Sequence, residues 1–194
     1  VRVQQKRLFW AINLPDELKR KFFGIQSWLR EVPADVKWVE QHNLHLTVKF
    51  LGEVDAGLID DITRAVEESV AGSGEFILEF ADIGFFPGPQ RPRVIWVGVR
   101  GEVQKFRLLH DRVEESMARL GFASEGARFS PHLTLGRLRS PRGARELVSK
   151  ARAIAGESGV IGRVRVAAVD LVESRLTRTG PLYSVLATLK LLKV

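Results

Sequence analysis

The chain has 194 residues, a net charge of +7 at pH 7 and no cysteine, which excludes disulfides, thiolate metal sites and a cysteine nucleophile. Its 45% hydrophobic and 27% charged residues exclude a disordered chain, and no apolar run approaches the length of a membrane-spanning helix. The positive excess is carried mostly by arginines, including Arg91, Arg93, Arg128, Arg137, Arg139, Arg175 and Arg178; it favours an anionic partner such as nucleic acid, because a planar guanidinium can hold two phosphate oxygens at once.

Residues 7–13 read as a buried strand ended by Leu14-Pro15. Pro15 suits a helix start, and Leu18, Phe22, Ile25, Trp28 and Leu29 recur at helical spacing until Pro33 closes the segment. Trp38-Val39 is a short extended piece. A strand over 43–51 is stopped by Gly52, and Leu58 to Val70 forms a second amphipathic helix ended by Gly72-Ser73-Gly74. Residues 76–80 alternate as a strand, 84–93 read as a Gly/Pro loop, and 94–99 form a further strand. A helix over 102–120 is capped by Gly121. Strands follow at 132–138, 163–172 and 183–191, with a helix over 142–154 and a turn at Gly180-Pro181.

One tetrapeptide occurs twice in this order. His45-Leu46-Thr47-Val48 returns as His132-Leu133-Thr134-Leu135, 87 residues later. Shifting the whole pattern by that amount carries the strand at 7–13 onto 94–100 and the helix at 15–32 onto 102–119. It also carries the helix at 58–70 onto 145–157, the strand at 76–80 onto 163–167 and that at 94–99 onto 181–186. The expected fold class is α+β: a single bilobal domain over 1–194, built from two pseudo-two-fold-related β-α-β lobes with mainly antiparallel sheets around a central cleft.

Residues two apart on a strand share a face, so His45 and Thr47 project together, as do His132 and Thr134. Leu46, Val48 and Phe50 then face the core, as do Leu133 and Leu135. Four histidines and six threonines in this length give only roughly 0.1 such pairings by chance. A pseudo-two-fold can bring both imidazoles and both hydroxyls to one cleft. With an unperturbed pKa of ~6.5, one imidazole can act as base and the other as acid. In-line displacement at phosphorus needs that arrangement, and threonine hydroxyls can donate to the non-bridging oxygens. His42 and His110 lack the motif and read as surface residues. Phosphate-cradling glycine loops, zinc-ligand spacings and a nucleophile elbow are all absent, so the scheme calls for no metal and no cofactor.

On these residues the chain resembles the 2H phosphoesterase family, in its RNA 2′,3′-cyclic phosphodiesterase branch, also called 2′-5′ RNA ligase-like. The resemblance runs from the stretch Arg7 to Pro15, through Asn43 to Glu53, Phe86-Pro87, Pro92 to Val99 and Phe129 to Arg137, to Ser174 and Gly180-Pro181-Leu182-Tyr183. It implies hydrolysis of a terminal RNA 2′,3′-cyclic phosphate to a 2′-phosphomonoester, with His45 as proton donor and His132 as proton acceptor. Thr47 and Thr134 would hold phosphate oxygens, and reverse ligation to a 2′-5′ linkage would be available in vitro. Trp10 and Arg137 stand where the family is expected to flank the terminal base, the alternative being a core Trp10 and a surface Arg137. Arg137 reaches that face only across a bulge or a strand end, and Gly136, where related chains often have a larger residue, leaves it less constrained. Lys49, on the face of His45 and Thr47, is placed either to contact the RNA backbone or simply to face solvent. The implied partner is RNA with cyclic phosphate ends, such as tRNA fragments, met by a cytoplasmic monomer without membrane association; the polar stretch Val1 to Arg7 is unlike a signal peptide. Two alternatives stay open: a non-catalytic RNA-end binding module, and a phosphodiesterase for small cyclic nucleotide phosphates.

Overall fold

The computed structural model describes residues 4–124, 126, 129–157 and 159–192, so Arg128 and the opening Val1 to Val3 lie outside the described residues. Strand β1 (Gln5–Asn13) leads past Pro15 into α1 (Asp16–Leu29), where Asp16 and Glu17 complement the helix dipole and Leu18, Phe22 and Leu29 are buried. Then come β2 (Val36–Trp38), a 3₁₀ turn over Gln41–Asn43, β3 (His45–Asp55), α2 (Ile59–Val70) and β4 (Phe76–Phe86). The second half supplies β5 (Val94–Gly101), α3 (Val103–Arg119), β6 (His132–Leu138), α4 (Ala144–Glu157), β7 (Gly162–Val166), β8 (Ala168–Leu176) and β9 (Pro181–Lys190). No helix among the described residues is long and apolar enough to cross a membrane.

All nine strands among the described residues join one antiparallel sheet in the order β7-β4-β5-β6-β3-β1-β8-β9, with β2 beside β6. Reading outward from the β6–β3 seam, β5 answers β1, β4 answers β8 and β7 answers β9. That is the expected pseudo-two-fold, with one addition: the outer strands change sides. β4 leaves its own half to pair with β5, and β8 returns to pair with β1. The strand at 181–186 is present as the shift predicts, yet it lies at the sheet edge, whereas β5 is central. The two lobes are thus halves of one continuous sheet.

Several boundaries move for local reasons. β3 does not stop at Gly52: Gly52 takes φ +75°, which a side chain would resist, and sits opposite Leu8 where Leu51 is left without a partner. This is a bulge, and the strand continues through it. β4 runs on to Phe86 through part of the expected loop, and the strand over 163–172 is two, β7 and β8. The helices pack on one face of the sheet, where a core of Leu8, Trp10, Leu46, Phe80, Val113 and Leu133, among others, is sealed from water. A small cluster of Phe9, Ala11, Val172 and Tyr183 lies apart from it, on the opposite face.

His110 is a correction: it is buried, with its ring 3.8 Å from that of Phe129. It occupies the apolar stripe of α3 formed with Phe106, Val113 and Met117, so helical spacing places it inside. His42 is exposed, as expected.

Candidate active site

The open face of the sheet carries a cleft of about 520 Å³. His45, Thr47, His132 and Thr134 all line it. The strands that bear them are bridged at Leu46 opposite Leu133. An antiparallel ladder centred there sets His45 and Thr134 on one side of the centre, and Thr47 and His132 on the other. The leucines between the motif residues point into the core.

Both imidazoles are oriented in the same way. His45 Nδ1 lies 2.7 Å from the Asn43 carbonyl, and His132 Nδ1 lies 2.7 Å from the Ser130 carbonyl, each two residues upstream. A carbonyl can only accept, so both Nδ1 atoms carry hydrogen and both Nε2 atoms are left as bases. The Nε2 of His45 accepts from the Thr47 hydroxyl at 2.9 Å.

The rings sit in different surroundings. His45 packs against Phe9 and Tyr183, at centroid distances of 5.0 and 5.5 Å. His132 meets Phe86 in a T-shaped contact with ring centroids 4.9 Å apart. Burial pushes the proton affinity of His45 down to a pKa of about 4; the Asn43 carbonyl opposes this, and the Lys19 charge adds to it. His132 is also lowered, chiefly by burial, against its Ser130 bond and with the Arg137 charge. Burial raises the Tyr183 phenol, while Arg137 and Arg7 pull it back.

A second bulge follows each threonine at the same place. Thr47 faces Ala11 and Lys49 faces Trp10, so Val48 is the extra residue; Thr134 faces Trp96 and Gly136 faces Ile95, so Leu135 is extra. One extra residue exchanges the faces of everything downstream. Arg137 therefore does line the cleft, across the bulge that this position required.

The same bulge corrects two expectations on β3. Phe50 turns into the cleft, 53% exposed and 5.9 Å from Phe9, instead of into the core. Lys49 turns inward: its side chain is 0% exposed, 2.6 Å from Glu114 of α3, and donates to the Ala123 carbonyl at 3.1 Å. It cannot reach RNA. Trp10 is likewise withdrawn, 0% exposed on the helix-covered face, because Phe9 and Ala11 take the cleft face of β1. Gly136 is not loose. A Cβ there would stand 2.8 Å from Val36 Cγ1 and 3.0 Å from Trp38, and Arg137 is paired on both sides, with Lys37 and Val94.

Sequence reasoning did not assign Phe9, Trp38 and Tyr183 to the cleft they line. A signal existed for Tyr183, the chain's single tyrosine, set behind the Gly180-Pro181 turn. Arg7, Lys37 and Arg137 give the cleft a cationic lining suited to an anion. Among the described residues no group of three or more His, Asp or Glu side chains is assembled that could hold a metal ion.

A family model described as the 2′-5′ RNA ligase superfamily matches residues 15–176. An RNA 2′,3′-cyclic phosphodiesterase of Methanothermobacter thermautotrophicus is 34% identical, over 92% of this chain and 95% of its own. One of Aeropyrum pernix is 36% identical over 80% and 86%. Among solved structures, the protein TT0787 of Thermus thermophilus superimposes with a TM-score of 0.77 at 27% identity, covering 95% of this chain and 97% of that one. Escherichia coli LigT in complex with 3′-AMP gives 0.76 at 26% identity, covering 97% and 99%.

Proposed function

The chain belongs to the 2′-5′ RNA ligase superfamily, and on that premise we propose that it is an RNA 2′,3′-cyclic phosphodiesterase, opening the terminal cyclic phosphate to a 2′-phosphomonoester. The observation that carries this reading is the pair of imidazoles in one cleft, each with Nδ1 fixed to a carbonyl two residues upstream.

His132 Nε2 takes a proton from water as the water oxygen bonds to phosphorus. The P–O3′ bond breaks on the far side, and imidazolium at His45 gives its proton to O3′. Each ring then exchanges its proton with solvent. The burial that lowers the proton affinity of His45 makes its imidazolium a strong acid, and the phosphodiester anion favours that charged form on binding. Before substrate arrives, the Thr47 hydroxyl is given to His45 Nε2; once that nitrogen is protonated, the hydroxyl is free to turn to a phosphoryl oxygen, with Thr134 serving the opposite side. Arg137 supplies positive charge beside His132, and Phe50 offers an aromatic face for a base to stack on. Run backwards with a 5′-hydroxyl in place of water, the same pair would form a 2′-5′ linkage.

The test compares His45→Ala and His132→Ala with wild type on an oligonucleotide ending in 2′,3′-cyclic phosphate. Each variant is expected to lose ~10²–10⁴ in turnover while RNA binding weakens far less. Near-wild-type hydrolysis in either would sink the mechanism. Free cyclic nucleotides assayed alongside, with EDTA throughout, separate an RNA substrate from a small one; position-specific analysis of the product phosphate distinguishes the 2′ from the 3′ ester.

A further inference from the structure

Neither His-x-Thr strand lies on α1, yet that helix contacts the surroundings of both. Its inward face carries two polar side chains seven residues apart, Lys19 and Gln26, both buried. Seven residues are close to two full turns, so both project from one side about 10 Å apart along the axis.

Each side chain is directed at backbone carbonyls. Gln26 Nε2 donates to the Val39 and Leu135 carbonyls, both at 2.8 Å. Leu135 is the extra residue of the bulge after Thr134, and its carbonyl also accepts the Val39 amide at 2.9 Å. Gln26 therefore holds the point at which β6 changes face between Thr134 and Arg137. Lys19 Nζ donates to the His42 carbonyl at 3.0 Å. That carbonyl belongs to the 3₁₀ turn whose next residue, Asn43, orients the His45 ring through its own carbonyl and donates its side-chain amide to the Pro181 carbonyl at 2.8 Å.

A buried ammonium and a buried carboxamide are costly between a helix and a sheet, and apolar side chains would pack there without that cost. At the centre of the sheet the two motif strands are bridged only at Leu46 opposite Leu133, so their ladder alone does little to fix their spacing. We propose that Lys19 and Gln26 are positioning residues: α1 is a spacer that sets how far apart the two His-x-Thr motifs stand, and hence the span open to water, phosphorus and leaving oxygen. The effect on rate rests on the cyclic phosphodiesterase reading; the effect on placement does not.

The experiment uses the full chain with Gln26→Met and Lys19→Met, reading imidazole ¹⁵N–¹H NMR spectra and single-substrate kinetics. Gln26→Met is expected to move the His132 ring resonances and leave those of His45, and Lys19→Met to do the reverse. In each, kcat falls by roughly 10- to 100-fold with KM within about threefold. Both rings moving together, neither moving, or kcat staying within about twofold of wild type would overturn the proposal. A wild-type protein without hydrolysis would defeat the functional reading alone, because the spectra still decide placement. Should Gln26→Met not fold, Gln26→Glu, which keeps one donor when neutral, takes its place with an intermediate effect. Failure of both to fold would overturn the proposal for Gln26, assigning it to stability instead.

Discussion

The strands β3 and β6 carry the same motif, the same carbonyl clamp on Nδ1 and the same bulge after threonine. Beyond the bulge they part. Where β3 has Lys49 facing inward and Phe50 in the cleft, β6 has Gly136 and Arg137. The backbone thus repeats the same histidine–threonine geometry twice, while the residues just past the bulge make one end of the cleft aromatic and the other cationic. The rings follow suit: His45 is walled by Phe9 and Tyr183, His132 by Phe86. Two equal bases would serve a symmetric ligand; a ring that resists protonation beside a more open one can divide acid from base.

The likeness of the two strands is tested most severely at the rings. On the proposed mechanism the pair acts as a unit, so His45→Ala with His132→Ala in one chain should be no worse than about tenfold below the weaker single variant; single-turnover rates check this, and additive losses would separate the two roles.

The next largest effect is at the bulge after Thr47. Lys49→Met leaves the Glu114 carboxylate without the ammonium that lies 2.6 Å away, and should cost about 3–5 kcal/mol in urea unfolding. A loss under about 1 kcal/mol would show that the ion pair does not hold this bulge.

Acid should expose the inequality of the rings. Above pH 6.5 the His45 ring is neutral both folded and unfolded. Between 6.5 and about 4 the unfolded chain takes a proton that the folded ring refuses, so roughly 3 kcal/mol of stability is lost as pH falls through that window. Replacing His45 by Gln should flatten the loss, and His132→Gln should flatten it less; denaturation at several pH values decides. Both free rings titrate below 6.5, so for the proposed acid–base pair, which needs one proton, kcat/KM should fall as pH rises above that value. A maximum above neutrality would contradict the neutral pair.

The finest test contrasts the two ends of the cleft. Arg137→Ala and Phe50→Ala should each raise KM by an amount worth about 1–3 kcal/mol, but only the arginine variant should flatten the salt dependence.

Much of this is readable from the residues alone. The histidine–threonine pairs are legible because period two alone places i and i+2 on one face, and the duplication because element types recur in order. The bulges are not, since an extra residue is defined by a partner strand; alternation therefore misplaces Lys49 and Phe50. Arg137 is legible only as a position that needs such an irregularity. Trp10 fails because an aromatic in a strand gives no sign of which face is covered by helices. His110 could have been placed by the spacing of Phe106, Val113 and Met117 around it.

The exchange of β4 and β8 bears on how the molecule could be taken apart. A break in the connection between β4 and β5 would yield two fragments, each keeping one whole His-x-Thr motif. The first would expose the flank of β1 that β8 now covers, and the second the flank of β5 that β4 now covers. Each fragment would hold the strand the other lacks, and unpaired flanks are sticky. Such halves should reassemble with each other by mutual strand donation. Two copies of the same half would lack the matching strand, so the duplicated plan enforces a heterologous pairing of its own two parts.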